Sequence, residues 1–203
     1  MQVVLPDLET HATFDVGPGR PMDDREFFEF CARNRNLRIE RETSGAIIIM
    51  PPAGFETGYR NNEICRQLGN WARTDGRGVA LDSNTEYLLP DGSARAPDAS
   101  WVLKSRLDAF TREQKERFLP LCPDFVVGLT SPSDRLSKVI AKMGQWMENG
   151  ARLGWLIDAA QQTVFVYRPG QDPEQLVNAD SVSGDGPVAG FRLELGDIWR
   201  GLE

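Results

Sequence analysis

The stretch Pro123–Asp134, PDFVVGLTSPSD, decides the fold and raises the question of function. In its first half, FVVGL, both alternating sets of residues are mostly apolar, which predicts a strand buried on both faces. Gly128 interrupts this strand, although a glycine inside a regular element costs about 0.5–1 kcal/mol relative to alanine. The glycine could mark a bulge, a close approach of another backbone, or the loss of a larger functional side chain.

Patterns on both sides of this strand predict one α/β domain in which a central mixed sheet is flanked by helices. From a helix after Pro21 onward, the predicted order is α–β–β–α–β–β–β–α–β–α–β–β. We expect residues 1–20 to be a polar extension and residues 21–203 to be the domain. The helix after the quoted strand has Ser133 or Asp134 as its expected N-cap and Gly150 near its end. Its apolar stripe consists of Leu136, Val139, Ile140, Met143, Trp146 and Met147.

The composition limits the chemistry that the chain can carry. The chain has 203 residues, a net charge of −7 and a pI near 4.9. This charge disfavours binding of nucleic acid through general electrostatics, but it is compatible with a local basic groove. His11 is the one histidine, which argues against histidine-based hydrolysis and histidine-bound metals. The three cysteines, Cys31, Cys65 and Cys122, are too far apart in sequence to suggest a zinc site or a disulfide framework.

Targeting signals are not evident. No apolar run approaches the roughly 20 residues that span a bilayer, and the first residues lack the pattern of a secretion signal. We therefore expect a cytoplasmic protein without a membrane partner.

Two polar residues close to the quoted strand are candidates for chemistry. Asp98 follows Pro97 at the start of a predicted strand, and Lys142 flanks the apolar stripe of the following helix. We expect Asp98 near the Gly128 backbone, with Lys142 reaching over it. Each residue also has a structural explanation, because an Asp after Pro is common in turns and a lysine stem can cover apolar surface.

A resemblance to a known family rests on several motifs that occur in order along the chain. They are ARAPDASWV, PDFVVGLTSPSD, KMGQWMENGARLGWLIDAA and VFVYRPG. From about Ile47 to Gly170 the chain resembles the Uma-two family of restriction endonucleases, within the PD-(D/E)xK nuclease superfamily. The resemblance implies a restriction-endonuclease-like fold and hydrolysis of phosphodiester bonds in DNA. It also implies Mg²⁺, or Mn²⁺, as the cofactor that polarises the phosphate and activates water.

The resemblance assigns roles to individual residues. It makes Asp98 and the backbone carbonyl of Leu129 metal ligands, and Lys142 the displaced catalytic lysine. Glu56 matches, less closely, an acid that the superfamily sometimes contributes near its first core helix. Gly128 occupies the position of the usual glutamate ligand, so the metal site is expected to be degenerate and the metal itself could be lost.

Two other substitutions bear on the expected metal site. Lys138 stands where relatives commonly have an acid, so this site loses negative charge a second time. Asp124 cannot replace the glutamate, because four strand residues separate it from Gly128 by about 13 Å.

Three functions follow from these residues. The chain could be an active endonuclease that uses Asp98, Lys142 and Glu56, or a catalytically inactive nuclease fold that acts as a binding or regulatory module. It could also be an interaction protein with no nucleic-acid role. A homodimer is the expected assembly, because two-fold pairing is the commonest and suits the cutting of two strands.

Overall fold

The structure, a computed structural model, describes residues 12–14, 20–132 and 134–203. Contacts between Cα atoms divide the chain into two compact units. The first comprises Met1–Pro52, Glu86–Ala96 and Thr111–Leu121, and the second Ala53–Thr85, Pro97–Phe110 and Cys122–Glu203. A single domain over residues 21–203 stays a prediction, and most of the extension expected over residues 1–20 lies outside the described residues.

The first unit contains an antiparallel five-stranded sheet in the order β1-β3-β2-β6-β5. Helix α1 begins with a capping box, in which Asp23 and Glu26 accept each other's backbone N–H groups. It buries Phe27 and Phe30 against the apolar strand residues Ile39, Ile47 and Ile49. The elements are β1 (Ala12–Phe14), α1 (Asp24–Arg33), β2 (Arg38–Arg41), β3 (Ile47–Met50), β5 (Tyr87–Leu88), β6 (Ala94–Arg95) and α4 (Arg112–Lys115).

The second unit contains a six-stranded sheet in the order β11-β10-β9-β8-β7-β4. Strands β8 and β9 are parallel and the other neighbours are antiparallel, so this is the mixed sheet that the sequence predicts. Its elements are α2 (Phe55–Asp75), β4 (Gly78–Leu81), β7 (Ala99–Leu103), α3 (Lys104–Leu107), β8 (Phe125–Leu129), α5 (Leu136–Glu148), β9 (Leu153–Asp158), β10 (Thr163–Tyr167) and β11 (Glu174–Val177). The chain ends with β12 (Ser181–Ser183), a short 3₁₀ turn (Gly186–Val188), β13 (Arg192–Glu194) and α6 (Gly196–Arg200).

Alternation along β8 separates the two faces of this sheet. Val127 and Leu129 belong to the core that also contains Ile64 and Leu68 of α2. The intervening residues face α5, since a Cβ on Gly128 would meet the sulfur of Met143. The sheet therefore has helices on both faces, and the predicted fold class is confirmed.

Two local predictions differ from the structure. The segment from residue 78 to residue 103 forms four strands instead of three, because the Pro90–Ser93 turn closes its own hairpin between β5 and β6. The N-cap of α5 is Arg135 rather than Asp134, whose carboxylate accepts hydrogen bonds from the N–H and hydroxyl of Ser131. Ser133, the other N-cap candidate, lies outside the described residues.

No helix within the described ranges combines the length and the apolar composition needed to cross a membrane.

Candidate functional site

Asp98 lies at the point where the ladder between β7 and β8 ends. The last residue pair of that ladder is Ala99 with Val127, and the N–H of Asp98 donates to the carbonyl of Val127 at 2.9 Å. One carboxylate oxygen of Asp98 then accepts the N–H of Leu129 at 2.7 Å. The Asp98 carboxylate thus replaces a backbone carbonyl as the acceptor for the N–H of Leu129. This hydrogen bond holds the carboxylate beside Gly128.

The carbonyl of Leu129 lies on the same side of β8 as Asp98. In an extended strand the N–H and C=O groups of one residue point to the same neighbouring strand. Because the N–H of Leu129 points to Asp98, its carbonyl oxygen is also directed to that side. The structure therefore brings together two of the predicted metal-binding groups.

Gly128 has ordinary strand geometry. Its φ is not positive, and it pairs in register with Leu156 of β9. A Cβ added at this position would lie 3.4 Å from the sulfur of Met143 and 3.5 Å from Leu156 Cδ1, which are ordinary contacts. By contrast, a Cβ on Gly78 would lie 2.1 Å from the ring of Trp101. Neither the backbone nor a close approach requires glycine at 128, which favours the loss of a side chain.

Lys142 lies on the flank of α5 that is directed to β7. Lys138 and Lys142 are within about 40° of each other around the helix, whereas Gly144 and Met147 point roughly 150° away. Gly144 and Met147 line a groove with Tyr167, at the end of β10. Since β10 and β7 lie on opposite sides of the β8–β9 pair, the lysines face the side that carries Asp98.

The fold does not place Glu56 near Asp98. It lies in the first turn of α2, where its carboxylate forms an ion pair with Arg60 at 2.9 Å. The Nε of Arg60 donates to the carbonyl of Ile198, so this pair faces α6. Cys65, which does reach the carbonyl of Asp98 at 3.5 Å, is nine residues further along the helix, or about 13 Å.

Two residues near Asp98 were not singled out from the sequence. Burial, with the Asp82 and Asp98 carboxylates nearby, raises the pKa of Cys65 to about 11, so its thiol stays protonated at neutral pH. The carboxylate of Asp82 accepts the N–H of Asn84 at 3.0 Å and closes the turn after β4. The proximity of Asp82 to Asp98 depends on the register between β4 and β7, and that of Cys65 depends on how α2 is rotated against the sheet. No local sequence pattern reveals either.

Two other carboxylates in this unit have structural partners. Asp124 is buried at the start of β8, where it accepts the N–H of Leu103 at 3.0 Å and pairs with Arg106 at 3.1 Å. Asp158 is buried at the end of β9 and accepts the N–H of Gln161 at 3.2 Å. Neither supplies the carboxylate that is missing at position 128.

The residues around Asp98 do not fit a complete magnesium site. Mg²⁺ is usually held in octahedral geometry by one or two carboxylates together with waters and substrate phosphates. Beside Gly128 we find one carboxylate, with an oxygen already engaged by Leu129, and one backbone carbonyl. Across the residues that the structure describes, no group of three or more His, Cys, Asp or Glu could hold a metal ion.

Comparisons with known proteins point in one direction. A family model described as "Uma2: Putative restriction endonuclease" matches residues 24–196. The chain is also similar to a crystal structure of "a putative nuclease belonging to DUF820" from Anabaena variabilis ATCC 29413. The two share 23% identity with a TM-score of 0.70, over 90% of this chain and 100% of the other, which shows a common fold. The comparison with curated proteins found no match.

Proposed function

The chain belongs to the Uma2 family, and on this premise we propose that it is a metal-dependent DNA endonuclease whose metal site is degenerate. Asp98 would be the remaining carboxylate ligand, and the carbonyl of Leu129 would complement it. Lys142 would supply positive charge to the phosphate as negative charge develops on it. Glu56 is the least supported member of this set, because it pairs with Arg60.

One observation carries the proposal, namely the position of Gly128. It adjoins the residue that Asp98 holds by a hydrogen bond, and it faces the same helix that carries Lys142. A glutamate here would add a second carboxylate beside Asp98. Its absence leaves the site with half of the negative charge that a cation would meet, so we expect weak affinity for Mg²⁺ or Mn²⁺.

A second candidate function is a catalytically inactive nuclease fold that binds nucleic acid or regulates a partner. The exposed Lys138 favours this candidate, because a cation on the same flank as Lys142 opposes metal binding and favours a phosphate. In this case the protein would bind DNA in the absence of any divalent ion.

A cleavage assay separates the two candidates. Single-stranded and double-stranded DNA would be incubated with Mg²⁺ or Mn²⁺ and the wild type, Asp98→Ala, Gly128→Glu or Gly128→Gln. We expect little cleavage by the wild type, a marked gain for Gly128→Glu and no gain for the neutral Gly128→Gln. Efficient metal-dependent cleavage by the wild type that Asp98→Ala abolishes would contradict a degenerate site. If no protein cleaves, the inactive binding module is the better account.

A further inference from the structure

We propose that Arg135, Lys138 and Lys142 form a surface on α5 that binds the phosphate backbone of duplex DNA without a metal ion. We call these three residues the basic flank. This inference rests on the proposed function, since it names how the same site would hold its nucleic acid.

The charge of α5 differs from that of the chain as a whole. The protein has a net charge of −7, yet α5 contains no acidic residue before Glu148. Arg135 and Lys138 are exposed, and neither forms an ion pair with any residue that the structure describes. Many arginines of the same unit are instead paired with carboxylates, as Arg60 is with Glu56 and Arg168 with Glu174. Arg135 and Lys138 therefore offer exposed positive charge that ion pairs with the described residues do not neutralise.

The spacing suits a row of phosphates. Seven residues of helix from Arg135 to Lys142 span about 10 Å. Each DNA strand carries one charge per about 3.4 Å of helix axis, and neighbouring phosphates lie farther apart than this along the winding backbone, so this length reaches about two of them. Lysine and arginine side chains at such positions can follow a backbone without reading bases.

The inner end of the basic flank lies on the side of Asp98 and Gly128. Because Gly128 has no carboxylate, the phosphate meets one negative side chain there instead of two. Loss of the glutamate thus weakens the site for a cation and, by the same change of charge, favours an anion. The basic flank extends that preference along the exposed surface of α5.

Binding of a labelled 20-base-pair duplex tests this surface. Fluorescence anisotropy would be measured in EDTA from about 50 to 200 mM salt, the range over which phosphate contacts change affinity strongly. The test protein is Arg135→Gln/Lys138→Gln, and Lys142 stays intact because it also belongs to the proposed catalytic site. The control is Arg112→Gln/Lys115→Gln, which removes the same charge at the same spacing from the exposed helix α4.

We expect the test variant to reduce the slope of log affinity against log salt by about 1.8, or about 0.9 for each lost contact. The control should keep the wild-type slope. Equal losses in both variants would indicate general charge attraction and overturn the inference. Absence of wild-type binding at the lowest salt would also overturn it.

Together with the cleavage assay, this binding experiment distinguishes failure of the basic flank from failure of the proposed nuclease function. If Gly128→Glu cleaves DNA but the test variant retains the wild-type slope, the basic flank is wrong and the degenerate nuclease stands. If the slope falls as expected but Gly128→Glu does not cleave, the basic flank stands and the nuclease proposal is wrong.

Discussion

At the scale of single residues, Gly128 is a position at which glycine benefits neither the stability of the strand nor the proposed metal site. Its φ is ordinary for a strand, and a Cβ added at this position would make only ordinary contacts. Glycine therefore gives the strand no stability that alanine would not also give. It also increases the entropy that the strand loses on folding. This combination supports the proposal that position 128 has lost a functional side chain.

We predict that Gly128→Ala stabilises the protein by about 0.5–1 kcal/mol, the usual difference between glycine and alanine in a regular element. Urea unfolding would measure the change. Gly78→Ala is the matched control and should destabilise, because its Cβ would enter the ring of Trp101. Destabilisation by Gly128→Ala as large as that of Gly78→Ala would show that position 128 requires glycine.

Cys65 gives a prediction for pH. Its folded pKa of about 11 lies above the ordinary 9.0, so folding favours the protonated thiol. The unfolded chain therefore loses this proton first as the pH rises, and stability falls between about pH 9 and pH 11. Denaturation at pH 8, 9 and 10 should show a steeper fall for the wild type than for Cys65→Ser, whose hydroxyl does not titrate there. Parallel curves for the two proteins would contradict a buried neutral thiol.

At the scale of elements, α5 shows how far the sequence predicts the structure. Its apolar stripe correctly predicts a helix between two buried strands, and Met143 and Trp146 are buried. Leu136 and Ile140, in the same stripe, remain 40% and 38% exposed, because only the later turns of α5 pack fully on the sheet. Periodicity identifies the apolar side of a helix, but it does not show how much of that side is covered.

The two parts of α5 should therefore differ in their effect on stability. Met143 is 2% exposed, and its truncation to alanine should cost about 2–5 kcal/mol because a cavity is left between helix and sheet. Ile140→Ala should cost about 1 kcal/mol or less, since much of its surface already meets water. Chemical denaturation of both variants measures this difference, and equal costs would contradict the packing of α5.

The candidate site was predictable where it depends on local motifs. Asp98 and Gly128 lie beside each other as expected, because the Pro97–Asp98 motif directly precedes β7, which pairs with the strand that contains the glycine. The proximity of Cys65 and Asp82 could not be predicted, since it arises from strand register and from the rotation of α2. Glu56 was expected near the site because of family resemblance, and its own neighbour Arg60, one helical turn away, holds it elsewhere.

At the scale of the whole molecule, the homodimer stays a prediction. Two copies related by a two-fold axis would present two sites to the two strands of DNA. Sedimentation equilibrium should then give twice the chain mass of 22.7 kDa at micromolar concentration. A mass of one chain at every concentration would contradict the dimer and leave each site to act alone.

The most direct test of the central claim is the affinity for Mn²⁺ of the wild type, Gly128→Glu and Gly128→Gln, measured by electron paramagnetic resonance of the free ion. A site that lacks its second carboxylate should bind Mn²⁺ weakly in the wild type and in Gly128→Gln. Gly128→Glu should bind at least about ten-fold more tightly, since it restores a charged ligand beside Asp98. Wild-type affinity equal to that of Gly128→Glu would contradict the account, because the metal site would then be complete without a side chain at position 128.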